Sequence, residues 1–212
     1  MVTIKQRRAV MNYIMLNGKK IDLTKEQIKE IEQSFGFGQV QLSTIKVGDT
    51  FKIGEYEFIV LEQSDDTTAV ILKNLLFECK EFGKNNNYKD SNVDKICSDF
   101  ATKISKIIGK KNLIEHTVDL TSDDGLKDYG TIKRFVSLLT CELYRRYVYI
   151  LDKYKIDRWW WLVTPYSTPT HGYESWVKCA APDGGLGNGV YGNYDYGVRP
   201  FCIFSSSISV SL

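Results

Sequence analysis

The chain has 212 residues, of which 43% are hydrophobic and 25% are charged. This composition is typical of a folded globular protein and excludes an intrinsically disordered chain. The net charge of +2, from 28 Lys and Arg against 26 Asp and Glu, does not favour a nucleic-acid partner. No apolar run reaches the roughly 20 residues of a membrane-spanning helix, so no membrane partner is expected.

The sequence predicts that the first 39 residues form a small appendage to a larger domain. Two short apolar runs flank Asn17-Gly18, a dipeptide that favours a tight β-hairpin. Thr24 followed by Gln27 forms a capping-box pattern, which predicts that a helix begins there. The glycine-rich stretch 34–39 indicates a linker to a second domain, 40–212. Because so short a helix needs a partner surface, residues 1–39 could drive homo-oligomerisation.

The second domain begins with a predicted meander and two predicted helices. Turns at Gly54-Glu55 and at residues 64–66 separate three strands, of which the middle one is apolar on both faces. Ser91 caps a helix that ends before Gly109. The apolar face of that helix is expected to comprise Ile96, Phe100, Ile104, Ile107 and Ile108. Thr140 caps a second, tyrosine-rich helix over 141–151.

Neither the cysteines nor the acidic residues form a metal-binding pattern. The five cysteines contain no CxxC pair and lie among apolar residues, so we expect reduced, buried thiols and a cytoplasmic protein. Asp123, Asp124 and Asp128 lack the rest of a calcium loop and are interpreted as a solvated acidic loop. We expect no metal and no cofactor.

From Trp159 onward, short apolar segments alternate with Gly, Pro, Asn and Asp turns, which predicts antiparallel strands. Side chains alternate between the faces of a strand, so Trp159 and Trp161 share one face and Trp160 takes the other. We expect all three in the core. The alternative is a stacking platform for a base or a sugar, which requires one exposed tryptophan.

Several segments together resemble a known domain family. They are the WWWLVTP segment at 159–165, the GVRPFCIF strand at 197–204, the opening strands at 48–63 and the VSLLTCELYRRY junction at 136–147. This combination resembles an uncharacterised family of gut bacterial and phage proteins, marked by WWL-x-[ST]-P followed by GVRP. The resemblance covers roughly residues 45–212.

That family looks related to the C-type-lectin-like fold of phage tropism determinants and formylglycine-generating enzymes. The resemblance implies an α+β fold with twisted antiparallel sheets, two flanking helices and a ligand surface formed by loops near the C-terminus. The cysteine pair of the enzymes and the acidic triplet of calcium-dependent lectins have no matching counterpart here. The resemblance therefore implies fold more firmly than activity.

Two C-terminal loops carry the residue types of a binding surface. Pro165 and Pro169 stiffen the first loop, and five glycines shape the second, 185–197. Tyrosine, serine and asparagine provide contact area and hydrogen bonds at low entropic cost. The candidate ligand-binding residues are Tyr166, Ser167, Thr168, Thr170, His171, Tyr173, Asn188, Tyr191, Asn193, Tyr194 and Tyr196. The structural alternative for the second loop is a β-hairpin with a glycine-rich turn. Binding is favoured because the tyrosines are dense on a segment that is too glycine-rich to form core.

No catalytic residue is predicted. A catalytic histidine needs a nucleophile and an orienting carboxylate within hydrogen-bond reach, and no nucleophile motif accompanies His171 or His116. Arg199 interrupts an apolar strand, so we expect it to be buried in a structural salt bridge with Asp183 or Asp195.

The sequence thus favours a non-enzymatic, phage-associated protein that binds a protein or a glycan. Two alternatives stay open. One is a phage accessory protein that inhibits a host defence system by protein contacts. The other is an enzyme of the formylglycine-generating type, which would need a reactive Cys179 or Cys202.

Overall fold

The structure is a computed structural model that describes residues 13–16, 19–28 and 39–212. The chain divides into two compact units, Met1–Gln39 and Val40–Leu212. Within the described residues the fold is mixed α+β, with mostly antiparallel sheets and few helices. None of the described helices is long and apolar enough to cross a membrane.

The first unit contains the predicted hairpin and the predicted helix start. Strands β1 (Tyr13–Leu16) and β2 (Lys19–Asp22) pair antiparallel, with Leu16 opposite Lys19. The N–H of Thr24 donates to Gln27 Oε1 over 3.0 Å, and the N–H of Gln27 donates to Thr24 Oγ1 over 3.2 Å. This reciprocal pair confirms the capping box. Residues 25–28 are helical, and the rest of the predicted helix and most of the linker lie outside the described residues.

The second unit contains two large sheets and a separate two-stranded ribbon. Its strands in chain order are β3 (Gln39–Gln41), β4 (Thr50–Ile53), β5 (Tyr56–Gln63), β6 (Thr67–Leu72), β7 (Phe77–Lys80), β8 (His116–Asp119), β9 (Thr131–Arg134), β10 (Val136–Ser137), β11 (Trp160–Pro165), β12 (Trp176–Ala180), β13 (Leu186–Val190), β14 (Tyr196–Val198), β15 (Phe201–Ser205) and β16 (Ser209–Ser211). The seven-stranded sheet has the order β10-β15-β6-β5-β4-β16-β3, and the five-stranded sheet has the order β13-β12-β11-β14-β7. Strands β8 and β9 form the ribbon.

The three helices are α1 (Asn92–Ile108), α2 (Cys141–Arg146) and α3 (Val148–Leu151). As predicted, the Ser91 and Thr140 hydroxyls accept from the main-chain N–H groups at the starts of α1 and α2. The predicted helix over 141–151 is interrupted at Tyr147, whose φ of −103° and ψ of 11° leave helical geometry. The Tyr147 hydroxyl donates to Glu62 on β5, so a tertiary contact competes with helix continuity at this residue.

The predicted apolar face of α1 is confirmed except at Ile107. Phe100 and Ile104 are buried, and Ile96 and Ile108 are partly buried against the same cluster, whereas Ile107 is 53% exposed. Val93 and Cys97, at helical spacing from Phe100 and Ile104, extend the buried face toward the start of the helix.

Two hydrophobic clusters lie on opposite faces of β11. Trp161 belongs to the cluster that includes α1, and Trp160 belongs to the cluster that includes Tyr144 of α2 and Leu151 of α3. Both tryptophans are at most 3% exposed. The predicted alternation of side chains along this strand is therefore confirmed, and β11, like β5, β6, β12 and β15, contributes to both clusters.

Arg199 is buried, as predicted, with 1% of its surface exposed. Its Nε and Nη2 donate to main-chain carbonyls, namely those of Leu72, Lys73 and Tyr154, at 2.8, 2.9 and 3.3 Å. Its guanidinium lies 5.2 Å from the centre of the Trp160 ring. Desolvation by burial lowers the pKa of Arg199 to about 10.

The predicted salt bridge of Arg199 to Asp183 or Asp195 is wrong. Within the described residues no carboxylate pairs with this guanidinium. Asp183 instead accepts from the N–H of Gly185 over 2.8 Å and so closes the turn between β12 and β13. The carbonyl oxygens of Leu72 and Lys73, at the end of β6, and of Tyr154 are fixed within hydrogen-bond distance of the buried guanidinium. They accept its hydrogen bonds in place of a carboxylate.

Candidate binding surface

The two predicted binding loops meet at one end of the five-stranded sheet. Pro165, the last residue of β11, lies opposite Val177, and Trp176 lies opposite Val190, the last residue of β13. Residues 166–175 and 191–195 therefore leave the sheet at the same end. The N–H of Tyr191 donates to the carbonyl of Ser175 over 3.1 Å, which joins the two segments directly.

The first segment, which we call the proline loop (residues 166–175), is anchored by two carboxylates. Asp124 Oδ2 accepts from Ser167 Oγ over 2.6 Å and lies 2.9 Å from His171 Nδ1. Asp128 Oδ2 accepts from the hydroxyls of Thr168 and Thr170 over 2.6 and 2.5 Å. Asp123, Asp124 and Asp128 are exposed, as a solvated acidic loop predicts, but the carboxylates of Asp124 and Asp128 also bind hydroxyls of the proline loop, which the sequence did not predict.

A buried asparagine supports the proline loop from below. Asn86 is fully buried, and its Nδ2 donates to the carbonyls of Ser167 and Trp176 over 2.8 and 3.1 Å. Its Oδ1 accepts from the Tyr129 hydroxyl over 2.8 Å. All four segments that meet here are thus tied together by side-chain hydrogen bonds in place of a regular strand ladder.

The hydroxyls that hold the proline loop in place are ones that the sequence predicts to bind a ligand. Ser167 is 1% exposed and Thr168 is fully buried, so neither can contact a partner. Thr170 is exposed, but its hydroxyl donates to Asp128. The prediction is wrong for Ser167 and Thr168, since these buried hydroxyls donate to the carboxylates of Asp124 and Asp128 and do not face a partner.

The exposed part of the proline loop consists of rings. Tyr166 and Tyr173 meet edge to face, with ring centres 6.2 Å apart and planes at 83°. Together with His171, Asp123 and Asp124 they line an open cleft of about 470 Å³. Trp176, at the start of β12, is 38% exposed beside the loop. The exposed surface of the proline loop therefore consists mainly of aromatic rings, together with the imidazole of His171.

The carboxylates at the cleft already have hydrogen-bond or ion-pair partners within the protein. Hydrogen bonds from Ser122 and Ser167, with a smaller contribution from His171, hold the pKa of Asp124 well below its usual range. Asp123 pairs with Lys178 over 3.1 Å and with Arg145 over 3.2 Å. These contacts leave little unpaired charge at the cleft floor, so a partner would meet mainly aromatic surface and hydrogen-bonding groups.

His171 has an orienting carboxylate but lacks a nucleophile. In a catalytic triad, the serine hydroxyl faces the imidazole nitrogen opposite the carboxylate. Here Ser167 donates to Asp124, the same carboxylate that contacts His171, and it is buried. Ser167 and His171 thus both hydrogen-bond to Asp124, which is not the arrangement in which a histidine activates a serine.

The second loop, 185–197, is held by aromatic rings that lie on its glycines. A Cβ on Gly187 would lie 2.5 Å from Cζ3 of Trp159, and one on Gly189 would lie 2.6 Å from Cε2 of Tyr196 and 2.8 Å from Cη2 of Trp161. The rings of Trp159, Trp161 and Tyr196 fill the space that side chains at Gly187 and Gly189 would occupy. The argument that this segment is too glycine-rich to form core is therefore wrong at Gly189, which is buried.

Trp159 is exposed to 38% and precedes β11, so the prediction that all three tryptophans are core is wrong for this one. Its ring is near-parallel to that of Tyr196, with centres 5.7 Å apart, and Tyr196 is near-parallel to Tyr194 at 5.4 Å. We call these three residues the aromatic row. The stacking-platform alternative thus has the exposed ring that it requires.

The remaining candidates of the second loop separate into different environments. Tyr191 and Tyr196 are partly buried against the core, and Asn193 and Tyr194 are exposed. Asn188 lies opposite Lys178 in β12, so its side chain is on the face away from Gly187, Gly189 and the aromatic row. One exposed surface cannot include all five residues.

The cysteines in the described residues give no support to a thiol enzyme. Cys97, Cys141, Cys179 and Cys202 are free and buried. Burial raises the pKa of Cys179 to about 12 and raises that of Cys202 well above its usual value. Thiols in this state are protonated and shielded, whereas a nucleophile must be an accessible thiolate.

No group of three or more metal-ligating side chains occurs within the part of the chain that the structure describes. The chain matches no protein-family model, and no curated protein or solved structure is similar to it at a significant level.

Four residues that matter at this surface were not identified from sequence as parts of it. Asp124 and Asp128 were dismissed, and Asn86 and Trp176 were not singled out. The available signal was a loop with carboxylates four residues apart and another loop rich in hydroxyls, which are complementary in hydrogen bonding. Nothing in their spacing along the chain shows that they meet.

Proposed function

We propose that this chain is a non-enzymatic, phage- or prophage-associated binding protein whose proline loop contacts a protein or glycan partner. The proposal rests on one observation, which is that the side chains that hold the proline loop in place differ from those that it exposes. The hydroxyls of Ser167, Thr168 and Thr170 all bind inward, and the rings of Tyr166 and Tyr173 stay exposed.

Such an arrangement favours binding because the loop is ordered before a partner arrives. Little conformational entropy then remains to be lost on association, and rigid aromatic rings give contact area at low cost. The phage association and the C-type-lectin-like architecture belong to the same proposal. Their support is the resemblance of residues 45–212 and the presence of exposed C-terminal loops on antiparallel sheets.

A formylglycine-generating type of enzyme is a weaker candidate, because Cys179 and Cys202 are buried with raised pKa values. Defence inhibition by protein contact would use the same exposed rings, so the identity of the partner separates it from adhesion. A soluble host protein as the partner supports inhibition, and a cell-surface glycan or protein supports adhesion.

The test compares the full chain with a Tyr166→Ala/Tyr173→Ala variant, in affinity capture from host extract and on an array of glycans. A Tyr149→Ala variant is the matched control, because Tyr149 is 85% exposed on α3. We expect the double variant to lose binding about tenfold or more while melting like the parent, and the control to bind normally. Unchanged binding of every partner by the folded double variant would refute the proposal.

A further inference from the structure

Strand β13 is an edge of the five-stranded sheet. Within the described residues it pairs with β12 alone, in a continuous antiparallel register from Trp176 opposite Val190 to Ala180 opposite Leu186. An edge strand offers main-chain donors and acceptors on its unpaired side.

The register shows which residues of β13 face that open side. The N–H of Tyr191 donates to Ser175, and the N–H of Ala181 donates to Gly185, so both flanking pairs are hydrogen-bonded pairs. Bonded and non-bonded pairs alternate in an antiparallel ladder. Gly187 and Gly189 therefore bond to β12, and the main-chain groups that point to the open side are those of Leu186, Asn188 and Val190.

The other edges of the two large sheets carry features that prevent strand addition, and β13 does not. At the opposite edge of the same sheet, β7 carries Glu78 and Lys80. In the seven-stranded sheet, β10 has only two residues, both buried, and β3 has three. Charge, shortness and burial are the usual protections of an edge. Strand β13, with five residues and neither charge nor proline, has none of them.

An exposed aromatic ring lies next to this edge. Trp159 covers the Cα of Gly187 and is 38% exposed. Residues directly opposite each other on neighbouring strands share a face. A residue placed opposite Gly187 by an added strand would therefore contact the Trp159 ring, because Gly187 has no side chain of its own to separate them.

We propose that β13 is a docking edge for an extended segment of a partner protein, which adds to the sheet as a sixth strand. Main-chain hydrogen bonds to Leu186, Asn188 and Val190 would supply the affinity. An apolar or aromatic side chain opposite Gly187, on the Trp159 ring, would supply the selectivity. The inference goes beyond the proposed function, because it assigns a second contact, separate from the proline loop, whose partner is an extended peptide with an apolar or aromatic residue opposite Gly187.

Asn188 allows a sharp test. Its N–H points to the open side, so Asn188→Pro removes an outward donor without removing a bond to β12, and proline is tolerated on an edge strand. Asn188→Ala is the matched control, because it keeps the N–H and removes only an exposed side chain. The probe is a displayed library of random peptides about eight residues long, the length of an ordinary strand, selected on the full chain.

We expect selected peptides to carry an apolar residue at one constant position, and to bind Asn188→Pro about tenfold more weakly than the parent. Asn188→Ala should bind normally. Asn188→Pro should still bind a partner of the proline loop normally, which distinguishes a failure of this edge from a failure of the proposed function. Amide exchange of Asn188 should slow when peptide is bound.

Three results would overturn the inference. One is a library that yields no peptide above background, and another is selected peptides that bind a folded Asn188→Pro variant as tightly as the parent. The third is a parent chain that dimerises in light scattering while Asn188→Pro stays monomeric, since the edge would then be filled by a second copy of this chain.

Discussion

The proline loop and the aromatic row lie near one another on the same sheet, yet different forces hold them. In the proline loop, buried hydroxyls and an imidazole bind the carboxylates of Asp124 and Asp128. In the aromatic row, Trp159 and Tyr196 rest on the main chain of Gly187 and Gly189. The first depends on charge and hydrogen bonding, and the second depends on shape. The two segments should therefore respond differently to substitution and to pH.

The largest expected effect comes from filling the space under the rings. Gly189→Ala places a Cβ 2.6 Å from Tyr196 and 2.8 Å from Trp161, which is fully buried and cannot move aside. We expect the free energy of unfolding to fall by about 2–3 kcal/mol, as in other overpacked cores. Urea denaturation measures this loss.

Gly192→Ala is the control for that substitution, because a Cβ on Gly192 meets nothing within 4 Å. It should leave the stability nearly unchanged. Equal effects of the two substitutions would mean that glycine in this segment serves flexibility and does not seat the rings.

A smaller effect should follow removal of the main anchor of the proline loop. Asp124→Ala leaves the hydroxyl of Ser167, which is 1% exposed, without its acceptor. An unsatisfied buried hydroxyl costs about 1–2 kcal/mol, and that is the expected loss in the free energy of unfolding. Amide exchange should show faster opening of 166–175 with 186–190 unchanged.

Asp195→Ala is the control for Asp124→Ala, since Asp195 is exposed in the second loop. An Asp124→Ala variant that weakened both loops equally would show that the two segments form one cooperative unit.

Lowering the pH should destabilise the proline loop more than the aromatic row, without any substitution. The folded-state pKa of Asp124 is lowered by its hydrogen-bond donors, and so is that of Asp128. A lowered folded-state pKa means that the stabilisation is complete above the unfolded pKa of about 4 and is lost as the pH falls below it. Between pH 5 and about pH 2 we expect the proline loop to open before the aromatic row does.

The measurement is amide exchange corrected for the intrinsic exchange rate at each pH, with Asp124→Asn as the reference that lacks the titrating group. If the parent and Asp124→Asn showed the same acid dependence in the proline loop, another group would have to control it.

The smallest effect should come from the end of the aromatic row. Tyr194 is 43% exposed and stacks on one ring only, so Tyr194→Ala should lower the free energy of unfolding by about 0.5–1 kcal/mol. Thermal unfolding measures it. A loss larger than that of Gly189→Ala would show that Tyr194, and not the glycine contact, holds the segment in place.

Local patterns in the sequence predicted local structure well. The capping residues Thr24, Ser91 and Thr140, the Asn17-Gly18 hairpin and the doubly buried strand β5 act through neighbours a few residues away. Predictions that required a distant partner were less successful. The salt bridge of Arg199 was wrong, and the hydroxyl partners of Asp124 and Asp128 were not predicted, because the partner of a polar group depends on which atoms the fold brings near it.

The candidate surface shows the same limit. Sequence identified Tyr166, His171, Tyr173 and Tyr194 as polar and aromatic residues on loops, and all four are exposed. It could not separate them from Ser167 and Thr168, which have similar chemistry and opposite orientation. The choice between facing in and facing out depends on Asp124 and Asp128, which no sequence pattern places beside them.

The sequence by itself determined that Trp160 and Trp161 point to opposite sides of one strand that ends at Pro165, because strand geometry alternates side chains whatever surrounds them. Only the tertiary structure decided that Trp159 stays at the surface and that the next loop is pinned by an acidic segment from earlier in the chain. Those outcomes depend on contacts between segments that are distant along the chain, where connectivity carries no information about proximity.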